Sequence, residues 1–507
     1  MSSPAMETGL NVSTPLITHA ADRRVTLLLF FIPVTLLVLA VLAINGGTLM
    51  YTLDDPYIHI DLAKRIFSGH YGINPNEYSA PSSSILWPFL LAPFTPLGQL
   101  MLWVPLLLNI GFSYLTFSLF NRVLQDVSPG PRFFILGGWF LATNFYGLIF
   151  NGMEHCLQIY LVTVIALGVL RKEFYGEQVT NSGVYLAILL LPLVRYEGLA
   201  VSLPVLFYLL CKGERLKPLI WGVALVAAVA LFSLFLSSIG VGYLPSSVIA
   251  KSDTTGLSSI AMNAIGQFEK YGWIIVAMLV MCAFMPDRKL FVMLLISVTA
   301  LHTLFGKNGW FGRYEIYWLT FLGVFFMHLC VTHLKARTTA VIFGLLPLAF
   351  AQLVYTTLST PLASAAVYNQ QYPMSQVAQR LNAPVAVNDL GLVALNSRQY
   401  VLDLWGLGNL EALKLRKSES GPQWIRDLMD RKKVHYAFVY EEWFPEHPDN
   451  WIKVGELQMN VPKIATAFNH VAFYATDETS AQTLREVMQA YALEQPTGKY
   501  EFRFEAQ

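Results

Sequence analysis

Val25-Thr-Leu-Leu-Leu-Phe-Phe-Ile-Pro-Val-Thr-Leu-Leu-Val-Leu-Ala-Val-Leu-Ala-Ile44 runs for twenty residues without a charge. At 1.5 Å rise per residue such a helix spans about 30 Å, the hydrocarbon thickness of a bilayer. Arg23 and Arg24 precede it and no cleavage pattern is present, so it reads as an uncleaved signal anchor. Outward from it, apolar stretches recur at Phe133 to Phe150, Leu157 to Leu170, Leu219 to Leu236, Leu290 to Phe305, Tyr317 to Val331 and Ala340 to Tyr355. The 507 residues are 55% hydrophobic and 13% charged, where soluble domains carry roughly 25% charge. Lipid offers the backbone no hydrogen bonds, so the crossings are helical. A soluble all-α protein is excluded, because core helices rarely run apolar on every face.

Basic residues favour the cytoplasmic side. With Arg23/Arg24 inside, Arg122/Arg132, Arg171/Lys172, Lys212/Arg215/Lys217, Arg288/Lys289 and Lys335/Arg337 also fall inside over about eleven crossings. Ile85 to Phe120 then makes one net crossing, as a re-entrant or broken helix plus a span. The expected organisation is a cytoplasmic tail at 1–24, a transmembrane domain at 25–359 with an outer loop at 46–82, and an extracytoplasmic domain at 360–507. In that last part, helical stretches (Met374 to Leu381, Pro422 to Lys433, Ala481 to Leu493) alternate with β-rich runs at Val385, Tyr400, Tyr436 and Val471. The alternation predicts a small soluble α/β domain with a largely parallel sheet. The net charge of +1 points to no nucleic acid. Cys156, Cys211, Cys282 and Cys330 all lie in or beside apolar segments, which argues against a disulfide framework or a zinc finger.

Ionisable groups at spans are costly and tend to be functional. Four outward turns collect them. Leu53-Asp54-Asp55-Pro56-Tyr57-Ile58-His59 opens a helix, with Asp55 at the expected N-cap and Pro56 at N1. The periodicity of that helix predicts that it lies in the membrane interface. Its adjacent carboxylates can set a general base in place or hold a metal, a divalent cation such as Mg2+ being the one cofactor left open. One aspartate would suffice for capping alone. Asn151-Gly152-Met153-Glu154-His155 is the second turn and Arg195-Tyr196-Glu197-Gly198 the third, where an internal ion pair is the plainer alternative. The fourth comprises Tyr243 to Lys251, Lys307 and Gly312-Arg313-Tyr314. Cations at the outer boundary suit a phosphate, although snorkelling alone also puts them there. His302, in an apolar run, reads as a paired structural histidine.

Together these segments resemble a family. Asp54-Asp55-Pro56-Tyr57-Ile58, Ala63-Lys64-Arg65, Gly72 to Tyr78 and Ser82 to Trp87 resemble the first outer loop and second span of GT-C glycosyltransferases. The branch is the bacterial one related to mycobacterial arabinofuranosyltransferases and other polyprenyl-phosphate-sugar-dependent enzymes. Asn151 to Glu154, Arg195 to Gly198, Leu244 to Lys251 and Gly312 to Tyr314 look like further blocks in the family's order. Asp389-Leu390-Gly391 and Val401 to Leu407 are similar to the exported portion of such proteins. Tyr196 and Ser246 depart from the family's Pro and Asn, and His59 or Asp61 replaces a first-loop Arg. These departures blur substrate more than reaction class.

The resemblance implies a GT-C-like bacterial inner-membrane enzyme, N-terminus cytoplasmic and C-terminal domain periplasmic. It implies inverting transfer of a sugar from a polyprenyl-phosphate donor to a glycan, lipid or protein acceptor. Arabinofuranose is the first sugar to test and a hexose stays open. By the same resemblance Asp54 is the general base, and Asp55 orients it or binds a metal. Lys251 and Arg313, with Lys307 beside them, hold the donor phosphate. Glu154, His155, Arg195, Glu197, Tyr57 and His59 are the sugar or acceptor contacts. The C-terminal domain either binds acceptor or covers the cavity. The alternatives are a transporter or flippase of lipid-linked sugars, which would favour inverted repeats and midplane charges, and an accessory scaffold, which leaves Asp54-Asp55 unexplained.

Overall fold

The computed structural model describes residues 23–179, 182–251, 256–495 and 498–506. Among the described residues six helices are long and apolar enough to cross a membrane: Arg23–Ile44, Leu86–Val123, His155–Tyr175, Leu216–Ser238, Ser258–Ala283 and Ile316–His333. Ala336–Ala349 and Ala351–Leu358, bent by 74°, make a seventh if counted as one span. Eleven crossings would also need shorter helices such as Ser182–Val194, Tyr196–Cys211 and Lys289–Phe305.

Exposed aliphatic surface separates lipid-facing helices from central ones. Leu219, Ile220, Val223, Val226, Leu231 and Leu234 of Leu216–Ser238 are exposed, an apolar face that suits lipid and not water. Ile316–His333 is buried on nearly every face. Between Pro129–Ala142 and Ala336–Ala349 the backbones nearly touch: a Cβ at Gly138 would overlap the Phe343 carbonyl. Small residues permit that closeness between membrane helices. Leu86–Val123 is broken, as its sequence predicts. Pro93, Pro96 and Gly98 (φ 61°) turn Ala92–Trp103 into a 3-10 stretch between Leu86–Leu91 and Val104–Val123, because proline withholds the donors an α-helix uses.

The two ends of the bundle differ in chemistry. Helix His155–Tyr175 carries Glu154 at its start and Glu173 at its far end. At the far end Glu173 binds Lys212 (2.8 Å) and Arg288 (3.0 Å), while Glu214 binds Lys172 (3.0 Å). The near end is covered by α1 (Asp55–Phe67) and the C-terminal domain. Residues 56–63 of α1 are all buried. Ile58 packs into the core of the C-terminal domain, and Tyr57, Ile60 and Ala63 into that of the helix bundle. The expectation of an interface-lying helix is therefore corrected: α1 is a wedge between two bodies, and His59 and Asp61 are buried with it.

Helix Thr360–Asn369 leads into the C-terminal domain and stays tied to the end of the first span. Asn45 donates to Ser364 Oγ (2.8 Å), which donates to the Met50 carbonyl (2.6 Å). The sheet has strands β1 (Val385–Val387), β2 (Val401–Asp403), β3 (Tyr436–Val439), β4 (Ile452–Met459), β5 (His470–Ala475) and β6 (Tyr500–Phe504), in the order β2-β1-β3-β5-β4-β6. Alternate residues feed opposite faces. Val385, Val387 and Phe438 meet helices Gln371–Leu381 and Glu478–Glu494, whereas Ala386, Ala437 and Val439 meet Leu410–Ser418 and Gln423–Lys432. Only β2-β1-β3 is parallel; the pairs β3-β5, β5-β4 and β4-β6 are antiparallel. The sheet is mixed, which corrects the largely parallel one expected.

Candidate active site

Arg313 and Arg195 sit on Tyr314, their guanidinium carbons 5.0 and 5.2 Å from its ring centroid. Arg313 donates to Asp55 Oδ2 (2.6 Å), to Met153 Sδ (2.7 Å) and to the Tyr314 hydroxyl (3.2 Å). Arg195 donates to both oxygens of Glu197 (2.9 and 3.2 Å) and to Glu154 Oε1 (2.8 Å). Glu154 Oε2 lies 3.9 Å from His59 Nε2, and His59 Nδ1 is 3.1 Å from Ser82 Oγ. Asp55, His59, Glu154, His155, Arg195, Glu197 and Arg313 thus form one layer, although the sequence scatters them over more than two hundred positions.

Local backbone devices deliver these groups. Asn151 Oδ1 accepts from the Met153 amide (3.0 Å), an Asx turn that aims Glu154 inward. Arg195 is extended (φ −154°) where Ser182–Val194 stops, so its side chain leaves the helix line. The loop before Arg313 has four successive positive φ values, at Gly309 (86°), Trp310 (44°), Phe311 (66°) and Gly312 (61°). Two of these residues are bulky and pay strain there. Asn144 Nδ2, donating to the Phe311 carbonyl (2.7 Å), and Glu315, accepting from Gly309 (3.1 Å) and Tyr271, brace the loop.

Several buried polar atoms in this layer make no hydrogen bond among the described residues: both ring nitrogens of His155, Glu154 Oε2, Asn151 Nδ2, Gln158 Nε2 and Arg313 Nε. Buried polar groups are rarely left so, and a concentration of them marks a place built for water or a polar ligand. Beside it is a cavity of about 690 Å³ lined by Arg195, Glu197, Lys307 and Tyr314, with Ser83, Ser247 and Asn263. Met262 and Phe305 line the same cavity and are 69% and 58% exposed, so its edge is apolar. Lys251 ends helix Ser246–Lys251, whose Ser247 and Val248 line the cavity; its side chain lies outside the described residues.

Asp54 points elsewhere. It is the N-cap of α1, one residue before the expected cap, yet its side chain makes no capping bond. Its Oδ2 accepts from the Gly391 amide (2.5 Å) and its Oδ1 from Leu392 (2.9 Å), both in the C-terminal domain. A Cβ at Gly391 would overlap the Asp54 carbonyl, so glycine alone fits. Asp389 lies close by, its Oδ2 accepting from Tyr440 (2.5 Å) and Gln371 (3.0 Å). Burial first, then the charge of Asp389, pushes the Asp54 carboxyl well above the usual range. Burial also raises Asp389, against the hydrogen bonds from Tyr440 and Gln371.

The expected side-by-side action of Asp54 and Asp55 is not what the geometry gives: one carboxylate turns to the C-terminal domain and the other to Arg313. No three His, Cys, Asp or Glu among the described residues converge to hold a metal, and the diverging pair does not fit one. Tyr57 is used internally, its hydroxyl accepting from Tyr51 N (2.9 Å) and contacting Met50 Sδ (2.7 Å). His302 has Tyr317 as partner (2.9 Å). Sequence reasoning missed Glu77, Asn74 and Ser246 as docking residues. Glu77 accepts from Tyr400, Asn409 (each 2.9 Å) and Lys432, Asn74 pairs with the backbone of Val401, and Ser246 donates to the Leu407 carbonyl (2.6 Å).

The fold and site define a polytopic α-helical membrane protein with a C-terminal α/β domain closed over one end of the bundle. Within that domain, residues 363–474 match the family described as a domain of unknown function, DUF8728. No curated protein matches the chain. Among solved structures it is similar to ArnT from Cupriavidus metallidurans bound to undecaprenyl phosphate, at 12% identity and TM-score 0.49 over 89% of this chain and 98% of that one. It is also similar to the apo oligosaccharyltransferase of Archaeoglobus fulgidus, at 12% identity and TM-score 0.47 over 90% and 74%.

Proposed function

We propose that this protein is an inverting glycosyltransferase of the GT-C class its sequence blocks resemble, taking a sugar from a polyprenyl-phosphate donor on the outer side of the membrane. The observation that carries the reading is the amphipathic cavity. Lys307 offers charge to a phosphate, Ser83, Ser247 and Asn263 offer hydrogen bonds, and exposed Met262 and Phe305 offer a lipid-facing edge for an isoprenoid chain. A soluble nucleotide sugar would have no use for that apolar edge.

In this reading an acceptor hydroxyl attacks the anomeric carbon from the face opposite the phosphate. The new carbon–oxygen bond forms as the bond to the phosphate oxygen breaks, and the phosphate leaves with the electron pair. Fixed cations aimed at that growing charge lower the barrier. Arg313, already engaged with Asp55 and Met153, acts by holding Tyr314 and the layer behind the cavity, and Lys307 becomes the first candidate for the phosphate. The sugar faces the unsatisfied groups of Glu154 and His155. Asp54 takes the acceptor proton, burial and the charge of Asp389 raising its affinity for that proton. The acceptor then enters along the junction of α1 and the C-terminal domain, and arabinofuranose is the first sugar to try.

The test uses the full chain in nanodiscs with a panel of polyprenyl-phosphate sugars and an envelope extract as acceptor. Release of polyprenyl phosphate is followed by mass spectrometry. One donor is expected to be turned over, with loss of at least ~100-fold in Asp54→Asn, the low end for a general base. Turnover of none, with no donor bound, would sink the proposal.

A further inference from the structure

The C-terminal domain brings its own carboxylate to Asp54. We infer that Asp389 is the second carboxylate of an acid–base pair, a positioning residue that holds, together with Asp54, the proton taken from the acceptor. The inference rests on the reading of Asp54 as base and goes beyond it by making the C-terminal domain part of the reacting site.

Three features of the junction carry it. Asp54 is fixed through two backbone amides of the same short segment that bears Asp389, so the spacing of the two carboxylates is set by Asp389-Leu390-Gly391 itself. Glycine at 391 is what allows that segment to lie against Asp54. Asp389 is braced from behind on one oxygen only: Tyr440 and Gln371 both reach Oδ2, and Tyr440 is in turn placed 2.8 Å from Gln370 Oε1. Its Oδ1 has no hydrogen bond among the described residues. Across the junction the charge of Asp389 acts on the Asp54 carboxyl.

Titratable groups act on Asp54 from both sides of the junction. Asp55 and Tyr57 come from its own helix, and Asp389 and Tyr440 from the C-terminal domain. Arg313 answers Asp55, not Asp54. Two like charges held together resist double ionisation, so the pair accepts one proton more readily than either alone. In the working cycle both carboxylates start ionised. The acceptor hydroxyl proton passes to Asp54 as the glycosidic bond forms, is held between the two carboxyls, and leaves to water after product departs.

The pair is tested by infrared titration of carboxyl groups in the full chain in nanodiscs, alongside the pH dependence of donor turnover. Wild type should show a protonated-carboxyl band, missing from Asp54→Asn, that titrates above the ordinary carboxylate range. Asp389→Asn should remove the repulsion and move both that band and the acid limb of turnover down by about 1 pH unit. Tyr440→Phe keeps the charge of Asp389 but withdraws a hydrogen bond that favours it, so it should move both upward. Loosened folding would relieve burial and move the limb down in both variants, so an upward move in Tyr440→Phe cannot come from it. An unmoved band in Asp389→Asn overturns the inference. The base reading fails separately, if Asp54→Asn turns over donor like wild type, and the infrared result judges the pairing whatever turnover shows.

Discussion

Asp55 and Arg313 make the clearest single interaction in the layer, and its energetics are asymmetric. Arg313 is 4% exposed and Asp55 22%. Removing one member of such a pair strands a buried charge, at about 3–5 kcal/mol, whereas replacing both with apolar groups is often neutral. Asp55→Asn should therefore lower the thermal midpoint in nanodiscs sharply, and Asp55→Asn with Arg313→Met should recover most of it. A double variant no more stable than the single one would contradict the pairing. Acidity gives a second residue-scale prediction. Burial raises Asp61, in α1, to about 7, and raises Asp403, at the end of β2, to about 6 against the backbone amides that donate to it. A carboxyl whose folded value lies above its unfolded one adds stability below the unfolded value, and loses it as pH climbs through the folded one. Stability should thus rise between pH 7.5 and 5.5, and the rise should shrink in Asp61→Asn and in Asp403→Asn. Thermal midpoints across that range check this, and an equal slope in all three proteins would refute it.

At the scale of elements, the junction of α1 with the Asp389-Leu390-Gly391 segment is set by a glycine. Gly391→Ala has to displace backbone, not a flexible side chain, and overpacking of that kind costs about 1–3 kcal/mol. It should reduce turnover and expose the C-terminal domain to limited proteolysis; unchanged protease resistance would mean the junction is looser than drawn. Much of this element map was legible in the sequence and some was not, for physical reasons. The spans were legible because hydrocarbon demands long uncharged runs. The break near Gly98 was legible because Pro93 and Pro96 cannot continue a helix. The burial of α1 was not, because its apolar periodicity describes equally well a helix lying on lipid or one roofed by another domain. β4 and β6 were missed because Lys453, Glu456, Glu501 and Arg503 make them read as polar, as strands with one solvated side do. Within the site, charged turns between spans were conspicuous, so Glu154, Arg195, Lys307 and Arg313 could be named. Glu77 and Asn74 were not, since docking is a property of two surfaces, and a polar residue in a loop does not announce its partner.

For the whole molecule, the arrangement makes sidedness a sharp question. Helix His155–Tyr175 has the candidate site at its start and the Glu173–Lys212–Arg288 cluster at its end. Since basic residues collect on the cytoplasmic side, the proposed orientation puts the C-terminal domain and Asp54 outside. A native reporter tests it. Cys211 is exposed and adjoins Lys212 of the basic cluster, whereas Cys156, Cys282 and Cys330 are buried. Ser418, exposed at the end of Leu410–Ser418, supplies the opposite probe as Ser418→Cys in a Cys211→Ser background. In intact cells, with any outer membrane made permeable, a membrane-impermeant maleimide should label the Ser418→Cys protein and leave Cys211 of the wild type untouched until the inner membrane is opened. The reverse pattern would place the carboxylate junction in the cytoplasm. A polyprenyl-phosphate sugar displayed on the outer leaflet could then never reach it, and the glycosyltransferase proposal would have to find a donor on the inner face.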